Sequence, residues 1–238
     1  MKRNCLVIGA SGDIGVAIAK RLASDGYQLL LHYHENKKVL HQLMKQLPDD
    51  AVLGMLKGNL STSKGIHDFL QMISFPINNV VFASGTTTFG LLQDVSENEM
   101  DVMFHLHVKT PWMISKHLLP DMIRQKYGNI IVISSIWGEK GASCEVIYSS
   151  VKGAQNSFVK SLAKELAHSG VSVNGVSPGF IETKMNENFT TEEKADIFSE
   201  IPMKRAGEAT DVAHVVSFLL DERTSYVQGE IIQVTGGW

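Results

Sequence analysis

Several things are scarce in this chain, and each scarcity closes off a class of protein. There are two cysteines, Cys5 and Cys144, in 238 residues, too few for a disulfide scaffold. Cys5 lies in a short apolar run and reads as a small buried hydrophobe. Neither sign of charge dominates. Lys+Arg number 22 and Asp+Glu 25, for a net charge of −3, so nothing electrostatic points to nucleic acid or an acidic membrane as a partner. There is no repeat, low-complexity tract or Pro/Ser-rich linker, and one domain over 1–238 is the expectation. Long apolar runs are also missing. The run from Cys5 stops at Gly9, too short for a signal peptide or a membrane span, so the expected location is cytoplasmic. What is present is 44% hydrophobic residues and only 20% charged, enough to build a sizeable core and too apolar for disorder.

Short apolar runs alternate with longer amphipathic ones. The pattern predicts strands over 5–8, 28–33, 51–56, 79–83, 129–134, 171–176 and 231–234. Between them it predicts helices over 14–24, 37–47, 64–73, 97–125, 146–168 and 209–220. The helix over 97–125 should bend near Pro111 and Pro120. Strands that are apolar throughout imply a sheet covered on both faces. The fold class is therefore α/β: a three-layer, doubly wound Rossmann arrangement with a mostly parallel, seven-stranded sheet. Ligands of such sheets bind beyond the carboxyl ends of the strands.

The first strand runs into Gly9-Ala10-Ser11-Gly12-Asp13-Ile14-Gly15 and then a helix. Glycines let backbone approach a pyrophosphate, and a helix N-terminus offers unpaired N–H groups and positive dipole. Gly9, Ser11, Gly12, Asp13, Ile14 and Gly15 are therefore candidate cofactor contacts. Asp13 would repel a pyrophosphate unless its side chain turns away, for instance to cap the helix.

Tyr148 and Lys152 are four residues apart in a helical stretch and share one face. An ammonium beside a phenol stabilises the phenolate and lowers its pKa, so that Tyr148 can exchange a proton. The pair opens the helix that follows the most apolar strand. That strand ends in Ser134-Ser135, with Ser135 thirteen residues before Tyr148. This spacing, the glycine turn, Pro178-Gly179 with Thr183, and Gly236-Gly237 together resemble the short-chain dehydrogenase/reductase family over essentially the whole chain.

The resemblance implies roles. Tyr148 would be the general acid for ketone reduction, Lys152 would hold the nicotinamide ribose, and Ser135 would hydrogen-bond the substrate carbonyl. Asn59 and Leu60 stand where the family has an acidic residue after strand three. Phe82-Ala83-Ser84-Gly85 replaces the family's N-N-A-G, leaving Ala83, Ser84 and Gly85 to supply backbone to the cofactor. Pro178, Gly179, Ile181 and Thr183 would line the nicotinamide. His107 takes the place of the family's catalytic asparagine and can hold the same relay water. NAD-type members carry Asp at position 33. Here it is Tyr33, followed by His34, Lys37 and Lys38, which favours NADPH over NADH. The His-x-His pairs at 32/34 and 105/107 have no acidic or cysteine partner at ligand spacing, so no metal is expected. The segment 180–205 corresponds to the family's lid. Assembly into a homodimer or homotetramer is implied, with Trp238 buried at a subunit contact.

A narrower resemblance concerns substrate. Ser134 to Val146, His107 and the Gly236-Gly237-Trp238 ending look like the elongation factor P 5-aminopentanone reductases. This implies elongation factor P as substrate carrier, with acyl carrier protein as the alternative through 3-oxoacyl-[acyl-carrier-protein] reduction. Glu145 or Glu139 can pair with the ammonium of an aminopentanone, and Trp137 shapes the pocket. Docking an acidic carrier calls for exposed cations near the site, and Arg124-Gln125-Lys126 offers some. The departures at Asp13, Phe82, Ala83 and His107 also leave open a nucleotide-binding regulatory protein without turnover.

Overall fold

The computed structural model describes residues 3–187 and 189–238. Seven parallel strands form one sheet in the order β3-β2-β1-β4-β5-β6-β7. They are β1 (Asn4–Ile8), β2 (Gln28–Tyr33), β3 (Val52–Lys57), β4 (Asn79–Phe82), β5 (Gly128–Ile133), β6 (Val171–Pro178) and β7 (Ile231–Val234). The sheet is wholly parallel rather than mostly so.

Side chains alternate across each strand, so consecutive apolar residues feed two cores. Cys5, Val7, Leu29, Leu31 and Ile131 face one side. There they meet α1 (Asp13–Ser24), α2 (Lys37–Met44) and α9 (Ala209–Leu219). Leu6, Ile8, Leu30, Ile130 and Val132 face the other. That side is covered by α3 (Ser63–Gln71), α5 (Thr110–Gln125) and α7 (Val146–Leu166).

The predicted helix over 97–125 is built in three parts. Glu97–Phe104 is α4, started by a Ser96–Glu99 capping box. His105–Lys109 is a π turn, and α5 follows with Pro111 in its first turn. The irregularity thus falls just before Pro111, and Pro120 is accommodated inside α5. Two helices lay outside the periodicity reading because each is short or polar: α6 (Trp137–Lys140) and α8 (Thr191–Glu200). Trp238 finds a cover within its own chain, its ring edge-on to Trp137 at 5.1 Å. Among the described residues no helix is long and apolar enough to cross a membrane.

Strand order reverses around β1, which lies between β2 and β4. A crevice opens at that switch point, beyond the carboxyl ends of the strands.

Candidate active site

The glycine turn fills the crevice floor. Gly9 has φ +81°, and a Cβ there would lie 2.5 Å from the Ser84 backbone, so the turn packs flush against the chain leaving β4. A Cβ on Gly15 would collide with the Gly9 carbonyl. At Gly12 it would meet only that carbonyl, at 3.5 Å. Gly12 is also the N-cap of α1 and makes no side-chain cap bond, so the first-turn N–H groups of α1 have no side-chain partner there. The turn therefore fits a pyrophosphate.

His32 secures this turn from below, a role the sequence reading missed. Its Nδ1 accepts the Gly9 N–H at 3.0 Å, so Nε2 carries the proton donated to the Gly58 carbonyl, also at 3.0 Å. Burial pushes its pKa down to about 4, against the opposing Gly58 bond. The only sequence signal was a polar residue in an otherwise apolar strand.

Ser135, at the end of β5, and Tyr148 and Lys152, on α7, converge in the same cleft as Gly12, Gly15, Pro178 and Thr183. Tyr148 and Ser135 line the same wall of this cleft. The pKa of Tyr148 is pushed up to about 12, by burial first and by the Glu145 charge, with the polar Ser135 hydroxyl opposing. The depression by Lys152 expected from sequence is absent. The Lys152 ammonium is itself buried, which lowers its pKa to about 7, and Nζ donates to the Ile133 carbonyl at 2.9 Å. Tyr148 is thus a protonated acid, the form that can give a proton to an alkoxide.

His107 sits in the π turn, fully buried, with its ring edge-on to Tyr148 at 5.8 Å. Its Nε2–H donates to the Thr86 carbonyl at 2.9 Å, and Nδ1 has no partner. Burial, then the Lys152 charge, pushes its pKa down to about 3. The backbone carbonyl of His107 accepts from Gln155 Nε2 at 2.9 Å. Gln155 was not foreseen, although a glutamine on the apolar stripe Val151-Gln155-Val159 of α7 was a visible signal.

The other expected residues divide. Ser11, His34, Asn59, Leu60, Ala83, Ser84 and Gly85 line the second half of the crevice, over β1, β2 and β3. Ile14 and Ile181 line the catalytic half. Tyr33 does not join them; it is buried in the core with Leu40 and Leu43. Strand alternation turns its neighbours His32 and His34 toward the ligand instead. Asp13 does not cap α1; its carboxylate accepts the Lys184 N–H at 2.7 Å. Trp137 packs on Trp238, and its backbone N–H donates to Ser135 Oγ at 3.2 Å. Glu139 turns away to accept from Gln233. Glu145, just ahead of α7, is not among the residues lining the cleft; it is half-buried and accepts from Thr87 Oγ1 at 2.8 Å. The Arg124–Lys126 patch precedes β5 while Ser135 follows it, about 20 Å away along the strand, so it lies at the wrong end for docking at this site.

A doubly wound sheet with a glycine turn at its switch point and a Ser–Tyr–Lys cluster beside it defines a nucleotide-dependent oxidoreductase. Comparison with known proteins narrows this. The family model described as enoyl-(acyl carrier protein) reductase matches residues 9–238. The uncharacterized oxidoreductase YmfI of Bacillus subtilis strain 168 is 46% identical over 240 residues, covering 100% of this chain and 99% of that one. The 3-oxoacyl-[acyl-carrier-protein] reductase FabG of Staphylococcus epidermidis is 31% identical, covering 100% and 99%. Among solved structures, a 3-oxoacyl (acyl-carrier-protein) reductase from Agrobacterium tumefaciens with NADP bound superposes with TM-score 0.91 at 25% identity, covering 99% and 94%. The chain belongs to the short-chain dehydrogenase/reductase family and is an oxidoreductase.

Proposed function

We propose that the chain reduces a ketone to a secondary alcohol with NADPH, and that the ketone is the 5-aminopentanone modification carried on elongation factor P. NADPH, when bound, supplies the hydride. The glycine turn and the free N–H groups of α1 suit its pyrophosphate, and His34 and Asn36 stand at the adenosine end. Ser135 and Tyr148 hold the carbonyl oxygen between two donors, which steadies negative charge as it develops there. Tyr148 then gives that oxygen its proton. Lys152, whose Nζ lies 5.5 Å from the centroid of the Tyr148 ring, would hold the nicotinamide ribose and, with a pKa of about 7, can pass a proton back toward Tyr148, and the buried His107 closes the inner wall.

The observation that carries the substrate reading is Glu145. Glu145 is half-buried just ahead of α7, and its charge is felt by Tyr148. No lysine, arginine or histidine among the described residues pairs with it. A substrate ammonium would supply the missing cation, whereas an acyl chain would desolvate the carboxylate without compensation. Such a substrate also fits a cytoplasmic enzyme.

The test is the intact mass of elongation factor P from cells lacking this gene. A modified factor two hydrogens lighter than in the parent strain supports the reading, and an unchanged mass refutes it. Purified Glu145→Gln should lose about tenfold in kcat/KM on the modified factor, in line with one charge-assisted bond. A second reading, reduction of a 3-oxoacyl group on an acyl carrier protein, is favoured by the full-length match to FabG. On that reading Glu145→Gln would leave the rate on acyl thioesters unchanged or higher. Phe104 and Trp112 lie edge to face on the exposed side of the α4–α5 stretch, which supports assembly of copies through these helices.

A further inference from the structure

Asp13 stands between Gly12 and Gly15 of the phosphate turn, yet its carboxylate reaches away from the turn. The Lys184 N–H that it accepts belongs to a residue 171 positions along the chain. Lys184 opens the 3-10 turn Lys184–Asn186, in the segment that crosses the cleft. This segment leaves the body at the bridge between Ile181 and Gly207. It rejoins at the buried Ile201 and at Met203, whose N–H donates to the Gly236 carbonyl. Among the described residues, every other hydrogen bond made by residues 183–200 ends within 181–204. Among the described residues Asp13 is thus the one hydrogen-bonded tie from the body to the middle of the segment. It crosses at the amino end of α1, where a pyrophosphate would enter.

We infer that Asp13 is a positioning residue whose carboxylate latches the segment over the phosphate turn and so governs how fast the cofactor exchanges. This rests on the reading that NADPH binds in the cleft. A carboxylate accepting a backbone N–H is a charge-assisted bond, and it holds the segment only while the acceptor oxygen is present. The latch adds nothing to the chemistry at Tyr148. It acts on the lifetime of the closed arrangement, so its loss should appear in release and not in proton transfer.

Asp13→Ala removes the acceptor, Asp13→Asn keeps one, and Lys184→Pro removes the donor. Proline suits the first position of a helical turn, and Thr183 before it is already extended, with φ −148° and ψ 166°. Two readouts are needed. The first uses ligand-free protein: the rate of tryptic cleavage after Lys184, located by mass spectrometry. The second is NADPH release followed by stopped-flow fluorescence. Asp13→Ala should speed both about tenfold, the effect of one lost charge-assisted bond. Asp13→Asn, which keeps an acceptor but not its charge, should recover about half of the effect in free energy and leave both about threefold faster than the parent. Lys184→Pro should speed release like Asp13→Ala, and the double variant should add nothing, as expected for partners in one bond.

Parent-like cleavage and release in Asp13→Ala would overturn the latch. So would an Asp13→Asn as fast as Asp13→Ala, since charge beside the turn would then be the cause. If Asp13→Ala fails to fold, Lys184→Pro and Asp13→Asn decide the question. If the parent protein binds no NADPH, the cofactor reading fails, and the ligand-free cleavage still judges the latch on its own.

Discussion

Replacing His32 with leucine tests the hinge between the phosphate turn and the sheet. The imidazole holds two backbone groups, the Gly9 N–H and the Gly58 carbonyl, each at 3.0 Å. Leucine satisfies neither. Each group left unpaired costs about 1–3 kcal/mol, and with water reaching the more open Gly9 side a total of about 2–4 kcal/mol is expected near neutral pH. The pH dependence is more telling. His32 binds a proton at its ordinary 6.5 when unfolded and only at about 4 when folded. The unfolded chain therefore takes up the proton first as pH falls, and stability is lost between those two values and is constant below them. From about pH 7.5 to about pH 5 this amounts to about 2 kcal/mol. His107, held down to about 3, adds a similar loss in both proteins. The leucine variant keeps the His107 part and sheds the His32 part. Its deficit against the parent should shrink by about 2 kcal/mol at the lower pH. Urea unfolding at both pH values would measure it, at one fixed protein concentration because association adds to apparent stability. A deficit that stays constant or widens on acidification would refute the neutral, doubly bonded imidazole.

Two further outcomes follow from the catalytic cleft. Tyr148→Phe removes the proton donor and keeps the buried ring, so ketone reduction should fall about 10²–10⁴-fold while NADPH fluorescence titration still shows binding. Loss of binding together with turnover would mean that Tyr148 acts mainly as a wall. Lys152, with its pKa at about 7 in the free protein, is mostly neutral at about pH 8, and an anionic, hydroxyl-rich cofactor should restore its charge. Binding at that pH should take up close to one proton, read from calorimetry in two buffers of different ionisation enthalpy. Lys152→Met should abolish the uptake, and an uptake that survives the substitution would assign the proton elsewhere.

Periodicity showed all seven strands and the long helices to within a few residues, because a sheet buried on both faces leaves unbroken apolar runs such as Asn129-Ile-Ile-Val-Ile-Ser134. For β6 it stopped at 176, and the strand continues to Pro178. The helix repeat showed that Tyr148 and Lys152 share one face of α7, and the resemblance to a family, rather than any periodicity, singled out Ser135 beside them. What escaped depends on contacts between distant parts of the chain. The pairing of His32 with Gly9 and Gly58, and of Gln155 with the His107 carbonyl, leaves no periodic trace; each is only a polar letter in an apolar row. Tyr33 was misjudged because the alternation of β2 decides which side chain faces the ligand, and it selects the residues on either side. The Tyr148 pKa went the opposite way from expectation, since burial outweighs a lysine that is itself half discharged.

The contact between Trp137 and Trp238 gives the protein an optical property. Two of its three tryptophans lie ring to ring, and the backbone N–H of the first of them is bonded to the serine beside the proton donor. Light absorbed by this pair is emitted in the band where a reduced nicotinamide absorbs. Arrival of the cofactor will therefore quench the indole emission by energy transfer, and its oxidation will restore it. Each turnover thus writes its own signal, with no label added and with the third tryptophan, Trp112, out on α5, as the steadier background.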